Sequence, residues 1–325
     1  MDINVKKETL KILIENIGVH TSGESIANKL NVTRASINKA VTTLRKDGYI
    51  INSVTNKGYM LDNQNDILSY DLVYPLLNNE LQQANLSVLM EAESTNTLAK
   101  EHALKGCKTG TVVIANKQTA GRGRMGRTFF SPKGGIYLSM VIKPNINLED
   151  SVNITTCAAV AVCKSIKKIT GLDVQIKWVN DIFYNNKKVC GILTEAITSL
   201  ETHKLEYVII GIGINLFIDE NELPEDIKDI ATSLFNHIPN YELKAKLVSE
   251  ILNTLWEMEK SPCDNSILQN YKDLSLVLGK NIIIKRNPIQ KAKAIDINSK
   301  GNLIVEHENG EIEGLHSGEI SILLS

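Results

Sequence analysis

The sequence holds no run approaching the roughly 18 to 20 consecutive apolar residues of a membrane-spanning helix. Its first ten residues, with Asp2, Lys6, Lys7 and Glu8, lack the apolar stretch of a secretory signal. No membrane partner and a cytoplasmic location are the expectation. Cysteine is scarce and odd in number: Cys107, Cys157, Cys163, Cys190 and Cys263 form no C-x-x-C pair, and the six histidines include no H-x-x-x-H. That spacing argues against a disulfide framework and against a zinc site, and leaves buried, reduced thiols. An excess of one charge is also missing, since 36 Lys and Arg meet 37 Asp and Glu. A protein that coats nucleic acid along its whole length is disfavoured. What remains is 325 residues, 43% hydrophobic and 22% charged, the composition of a globular chain with room for two or three domains.

The charge is unevenly spread. Residues 1–61 hold nine basic and five acidic side chains, so a small basic module precedes a mildly acidic body. In that module Leu10, Leu13, Ile14 and Ile17 recur at helical spacing. A second helix over 23–30 buries Ile26 and Leu30, Asn31-Val32 turns the chain, and Thr33 caps a third helix running to Lys46 that buries Ile37, Val41 and Leu44. This is helix-turn-helix spacing. The outward face of the third helix carries Arg34, Ser36, Asn38, Lys39, Thr42 and Arg45, all able to bond phosphates or base edges. A hairpin over 49–61 with Lys57 at its tip forms a wing; Ser22 and Lys57 complete the candidate DNA contacts. The plainer alternative is a generic three-helix packing module.

The division expected is a winged helix-turn-helix over 1–62, a linker with a short helix over 63–83, a catalytic body over 84–274 and a small barrel over 275–325. The body alternates helical stretches (95–105, 151–169, 241–260) with extended ones (111–115, 136–142, 174–178, 182–184, 188–194, 206–213), so an α+β fold with a mixed central sheet is expected. Short extended runs at 282–284, 292–295, 303–305 and 320–323, set between Gly and Asn turns, predict the barrel.

The most informative segment is Gln118-Thr119-Ala120-Gly121-Arg122-Gly123-Arg124-Met125-Gly126-Arg127, directly after the strand at 111–115. Glycines let backbone N–H groups approach a ligand, and arginines give permanent, bidentate charge to phosphate. A polyanion site is the natural reading; a flexible basic loop touching nucleic acid is the alternative. Gly211-x-Gly213 lacks the glycine-rich helix start of a dinucleotide fold. Ser94-Thr95-Asn96 reads as an N-cap cluster and Trp178 as core.

On these residues the chain resembles the bifunctional biotin protein ligases that also repress the biotin operon. The G-R-G-R-x-G-R loop is joined by Ser94-Thr95-Asn96, by Lys177-Trp178-Val179-Asn180-Asp181, by the run Lys188-Val189-Cys190-Gly191-Ile192-Leu193-Thr194-Glu195, by Gly211-Ile212-Gly213-Ile214-Asn215 and by the closing Gly318-Glu319-Ile320. Two positions depart from the pattern, Val179 where proline is usual and Phe129 where tryptophan is common.

The resemblance implies a catalytic domain of class II synthetase-like type and an SH3-like C-terminal barrel. It implies that biotin's carboxylate attacks the α-phosphorus of ATP and that an acceptor lysine then attacks the acyl-adenylate. Lys188, Arg122 and Asp181 would be catalytic. Ser94, Thr95, Asn96, Gln118, Arg122, Gly123, Arg124, Lys188 and Gly191 would hold biotin; Arg122, Arg124, Arg127, Phe129, Lys188, Asn180 and Asn215 would hold ATP or the adenylate. Mg2+ would ride on the triphosphate with no protein side chain committed to it. A biotin carboxyl carrier domain, operator DNA and a second copy of the chain would be partners. The rivals are a ligand-sensing regulator without ligase activity, which has no need of Lys188 and three arginines around a phosphate, and a lipoate-type ligase, which usually lacks the N-terminal module.

Overall fold

The computed structural model describes residues 4–144, 152–198, 205–237, 240–262, 264–316 and 320–322. Expectations at Ser151, Cys263, Gly318, Glu319 and Leu323 lie outside the described residues.

The N-terminal module is three helices and a hairpin: α1 (Val5–Glu15), α2 (Gly23–Leu30), α3 (Arg34–Lys46), β1 (Ile51–Val54) and β2 (Gly58–Leu61). Asn31 turns the chain between α2 and α3 with φ 52°, a left-handed conformation that asparagine tolerates. Thr33 then caps α3, its Oγ1 accepting from the Ser36 amide at 3.2 Å. Leu10, Leu13, Ile26, Ile37, Val41 and Leu44 bury one face of each helix in a second core, which Ile67 completes and Met90 of the body packs against.

Residues 63–83 are not a free linker. They fold as α4 (Tyr70–Val73), a 3-10 turn (Tyr74–Leu76) and α5 (Asn79–Gln82), and Leu68, Val73, Leu77 and Leu81 enter the main core. The preceding residues stitch the two modules together. Asn65 accepts from the Ile50 amide, the Asn116 side chain brackets both backbone groups of Leu68, and Asp66 receives Lys244.

The body continues β3 (Leu86–Leu89), α6 (Thr95–Leu104), β4 (Thr111–Ala115), β5 (Ile136–Ile142), α7 (Val152–Thr170), β6 (Gln175–Lys177), β7 (Asp181–Tyr184), β8 (Lys187–Thr198), β9 (Leu205–Ile214), α8 (Leu243–Glu259) and α9 (Asn265–Asp273). Seven strands form one mixed sheet in the order β3-β4-β5-β9-β8-β7-β6, with only β3 and β4 parallel. The strands alternate. Leu138, Met140, Ile210, Ile212 and Ile192 face α7 and α8 in the main core, while Val113, Val141 and Ile209 face α6 on the other side.

A second antiparallel sheet closes the chain: β10 (Asn281–Ile284), β11 (Gln290–Ile297), β12 (Leu303–His307), β13 (Ile312–Leu315) and β14 (Ile320–Ile322), ordered β13-β12-β11-β10-β14. Strands β3 and β13 and helix α9 fall where no element was expected. Each is short and owes its burial to neighbours rather than to its own periodicity, β3 pairing with β4 and α9 delivering Ile267 and Tyr271 to the core.

Candidate functional site

Glycine shapes the face of the large sheet where the first turn of α6 meets it. Tyr137, Gly213 and Gly191 stand in register across β5, β9 and β8, as do Ser139, Gly211 and Leu193. A Cβ on Gly211 would collide with the amide oxygen of Asn96, and one on Gly213 with the Phe129 ring. Two missing side chains thus make a trough in which Asn96 and Phe129 lie on the backbone of the sheet.

A chain of polar contacts runs along this trough. Ser94 caps α6, its side chain accepting from the Thr97 amide, and so aims Thr95 and Asn96 at the sheet. Gln118 Oε1 accepts from the Thr95 amide at 2.8 Å and from its hydroxyl at 3.1 Å, while Gln118 Nε2 donates to Ser131 Oγ at 2.9 Å. Ser139 Oγ donates to Asn96 Oδ1 at 2.6 Å and lies 2.8 Å from Thr95 Oγ1. Asn96 Nδ2 donates to Glu195 Oε2 at 2.8 Å, and the other oxygen of that carboxylate is 3.5 Å from Arg122. Ser94, Thr95, Asn96 and Ser139 are all buried. Buried polar groups need partners, and here each hydroxyl and amide has one.

The glycine-rich loop folds back on itself. The Gly123 amide donates to Arg127 O, the Phe129 amide to Gly121 O, and Met125 at its tip is left-handed and exposed. Arg122 and Arg127 stand exposed on this loop, with Gly123 between them. Arg124 turns inward and donates to Asn180 Oδ1 at 3.0 Å; Asn180 Nδ2 donates in turn to the Ile192 carbonyl at 2.7 Å. The turn holding Asn180 begins with a cis Trp178–Val179 peptide. Tyr271 OH donates to Val179 O at 2.8 Å, and Trp178 is core, its indole donating to Gly301 O at 3.0 Å.

A bulge aims Lys188. The register of β7 against β8 runs Ile182↔Cys190 and then Phe183↔Lys188, so Val189 is an extra residue. Val189 enters the main core, and Lys188, which simple alternation would send there as well, turns to the trough instead. Its backbone is clasped by Ile230 O and the Thr232 amide, at 2.8 and 3.0 Å. Its ammonium pairs with Asp181 at 2.7 Å, lies 6.0 Å from the Phe129 ring centroid and overlooks Gly191. The neighbouring Cys190 thiol is buried and pushed well up by desolvation, so it stays protonated and structural. Cys157 and Cys163 are buried too, whereas Cys107 is only half-buried.

The remaining sequence candidates are spread more widely. Asn215 is buried with its amide donating to Thr232 O at 3.2 Å, holding the segment that clasps Lys188. On α3, Arg34, Asn38 and Lys39 are exposed; Ser36 faces its own cap at Thr33, Thr42 Oγ1 donates to Asn38 O, and Arg45 Nε donates to Ile51 O at 2.8 Å, tying the helix to the wing. Ser22 caps α2, and Lys57 is exposed at the hairpin tip. Sequence reasoning missed Ser139, Glu195 and Tyr271 as site groups. Ser139 carried a signal, as the one hydroxyl in the otherwise apolar 136–142, apart from the phenol of Tyr137. Among the described residues no group of three or more His, Cys, Asp or Glu side chains is arranged to hold a metal ion. No described helix is long and apolar enough to cross a membrane.

The chain thus joins a winged module to a glycine-floored mixed sheet and a small antiparallel sheet, and comparison with known proteins places each part in a class: a helix-turn-helix module on a biotin/lipoate protein ligase body. Residues 6–60 match the HTH domain family, 88–215 the Biotin/lipoate A/B protein ligase family, and 277–323 the Biotin protein ligase C terminal domain. The chain is 33% identical over 327 residues to the Bifunctional ligase/repressor BirA of Bacillus subtilis (strain 168), covering 99% of this chain and all of that one. It is 28% identical to the protein of that name from Salmonella typhimurium, over 94% of each chain. A biotin protein ligase from Aquifex aeolicus, solved with biotin and ATP, superposes with a TM-score of 0.60 at 30% identity, over 74% of this chain and 99% of that one. The chain belongs to the bifunctional biotin ligase/repressor family.

Proposed function

We propose that this protein is an ATP-dependent biotin protein ligase of the cytoplasm that makes biotinyl-5'-AMP, transfers biotin to a lysine of a biotin carboxyl carrier domain, and as an adenylate-bound homodimer represses biotin biosynthesis genes. The observation that carries the reading is the gathering of Lys188 and the part-buried Thr95–Gln118 pair around one glycine-floored trough, with Arg124 drawn inward by Asn180, whose own amide donates to the Ile192 carbonyl of β8.

Biotin's ureido ring offers two N–H donors and a carbonyl, which suit Thr95, Gln118 and backbone groups near Gly191 in a largely apolar setting. The carboxylate of biotin then attacks the α-phosphorus of ATP and pyrophosphate leaves. Negative charge gathers on phosphate oxygens in that step. Lys188, Arg122, Arg124 and Arg127 supply fixed counter-charge, and the side chains behind them set its direction: Asp181 aims Lys188 and Asn180 aims Arg124. Mg2+ enters on the triphosphate, as part of the substrate. The ε-amine of the acceptor lysine next attacks the acyl carbon and AMP leaves. No nucleophilic side chain of the enzyme is needed, in keeping with the protonated, buried Cys190.

The test is incubation with labelled biotin, ATP and a carrier domain, read by mass. Addition of one biotin to the carrier is expected. An unmodified carrier beside a protein that still binds biotin would leave only a ligand-sensing regulator.

A further inference from the structure

We propose that Glu195 is a positioning residue of this site: one carboxylate oxygen fixes the Asn96 amide on the sheet floor and the other anchors Arg122, keeping floor and loop in register. The inference rests on the reading of Arg122 as a ligand-binding group. Glu195 lies on β8 with only 20% of its side chain exposed, whereas Arg122 is half exposed and held at one end by the loop. A carboxylate so close to a site for anions opposes their binding unless it does something else there.

A carboxylate only accepts, so Asn96 turns its NH2 to Glu195 and its Oδ1 to Ser139. Ser139 must therefore give its single proton to that oxygen. The Thr95 hydroxyl proton then goes to Gln118 or to Ser139, which leaves oxygen lone pairs on Thr95 as the groups offered to a ligand N–H. The same carboxylate limits the rotamers open to Arg122, reducing the entropy lost when the arginine engages a ligand.

The experiment is calorimetric titration of biotin into the full-length protein, with urea unfolding as a control for the fold. Glu195→Gln keeps an acceptor for Asn96 and removes the charge that holds Arg122. Biotin affinity should fall by about two- to fivefold, the range of a partly exposed ion pair, and the deficit should shrink in high salt. In an Arg122→Ala background Glu195→Gln should cost nothing further. Asn96→Asp sets two carboxylates face to face and should weaken biotin binding; adding Glu195→Gln, which supplies an NH2 to the new carboxylate, should restore part of it. Wild-type affinity in Glu195→Gln, tighter binding, additivity with Arg122→Ala, or no rescue of Asn96→Asp would overturn the proposal and leave the ligase reading standing. A wild-type protein that binds no biotin would overturn the reading beneath it.

Discussion

At the scale of single residues, this site depends on side chains that are missing as much as on those present. Gly211 gives Asn96 its place, and Asn96 in turn receives the proton of Ser139. Gly211→Ala drives a methyl into a buried amide that cannot retreat without breaking that contact. A loss of about 1–3 kcal/mol in urea denaturation, the usual cost of overpacking, is expected together with weaker biotin binding. Lys188 acts differently. In the role proposed for it, its ammonium would meet the α-phosphate and bind more strongly as charge develops, so Lys188→Ala should slow adenylate formation more than it weakens biotin binding. A charge-assisted hydrogen bond of about 1.5–3 kcal/mol corresponds to a loss of roughly ten- to a hundred-and-fifty-fold in single-turnover pyrophosphate release. If biotin affinity collapses while the rate at saturating biotin survives, Lys188 serves binding only.

Elements contribute by carrying groups to places their own sequence does not specify. Helix α3 presents Arg34, Asn38 and Lys39 to solvent along one side, while Arg45 is tied back to the wing strand. If Lys39 meets a backbone phosphate, Lys39→Ala should weaken binding to all duplexes alike and lower the salt dependence of log K by about one unit. Fluorescence titrations of operator DNA at several salt concentrations would measure it, and an unchanged slope would remove Lys39 from the interface. Helix α8 ends at Glu259, whose carboxyl burial pushes up from 4.5 to about 7, the neighbouring Lys260 opposing the shift. An acid with a raised folded pKa holds its proton longer in the folded state. Its contribution to stability is therefore complete below about pH 4.5 and lost as pH rises towards about 7. Glu259→Gln should flatten that part of the stability profile, seen in urea midpoints between pH 4.5 and 7.5 compared with wild type.

For the whole molecule, the question is how a DNA-reading module is fixed to a ligase body. Residues 65–68 make the join, through Asn65 to the wing, Leu68 to the end of β4, and Asp66 to Lys244 at the start of α8. Lys244 is 3% exposed and Asp66 25%, so the two partners do not carry equal desolvation. Burial pulls the Lys244 pKa down, with Asp66 opposing. Breaking a buried pair costs most when the deeper charge is left alone. Asp66→Asn is therefore expected to destabilise the protein more than Lys244→Met does, with the larger loss reaching about 3–5 kcal/mol in chemical denaturation. The reverse order would mean that Asp66 is the partner more in need of compensation.

Periodicity, capping residues and turn residues are local properties, and they sufficed for much of this protein. Thr33 and the spacing of Ile37, Val41 and Leu44 placed α3 over Arg34–Lys46, and the apolar run at 111–115 placed β4. The glycine-arginine loop was legible because few chemistries call for three arginines among glycines, and the fold and family followed from it and its companion motifs. Tertiary structure alone decided the rest. Segment 63–83 reads as a polar linker with a short helix, and nothing local shows that Leu68, Val73, Leu77 and Leu81 enter the main core. Strand β3 needed β4 beside it, and α9 shows its purpose only through Tyr271, which meets a carbonyl 92 residues away. Alternation along β8 gave no warning that Val189 would bulge inward and hand Lys188 to the trough. Nor did it show Glu195 between Asn96 and Arg122, since those contacts join residues distant in the chain and their energies exist only once the sheet has brought them together.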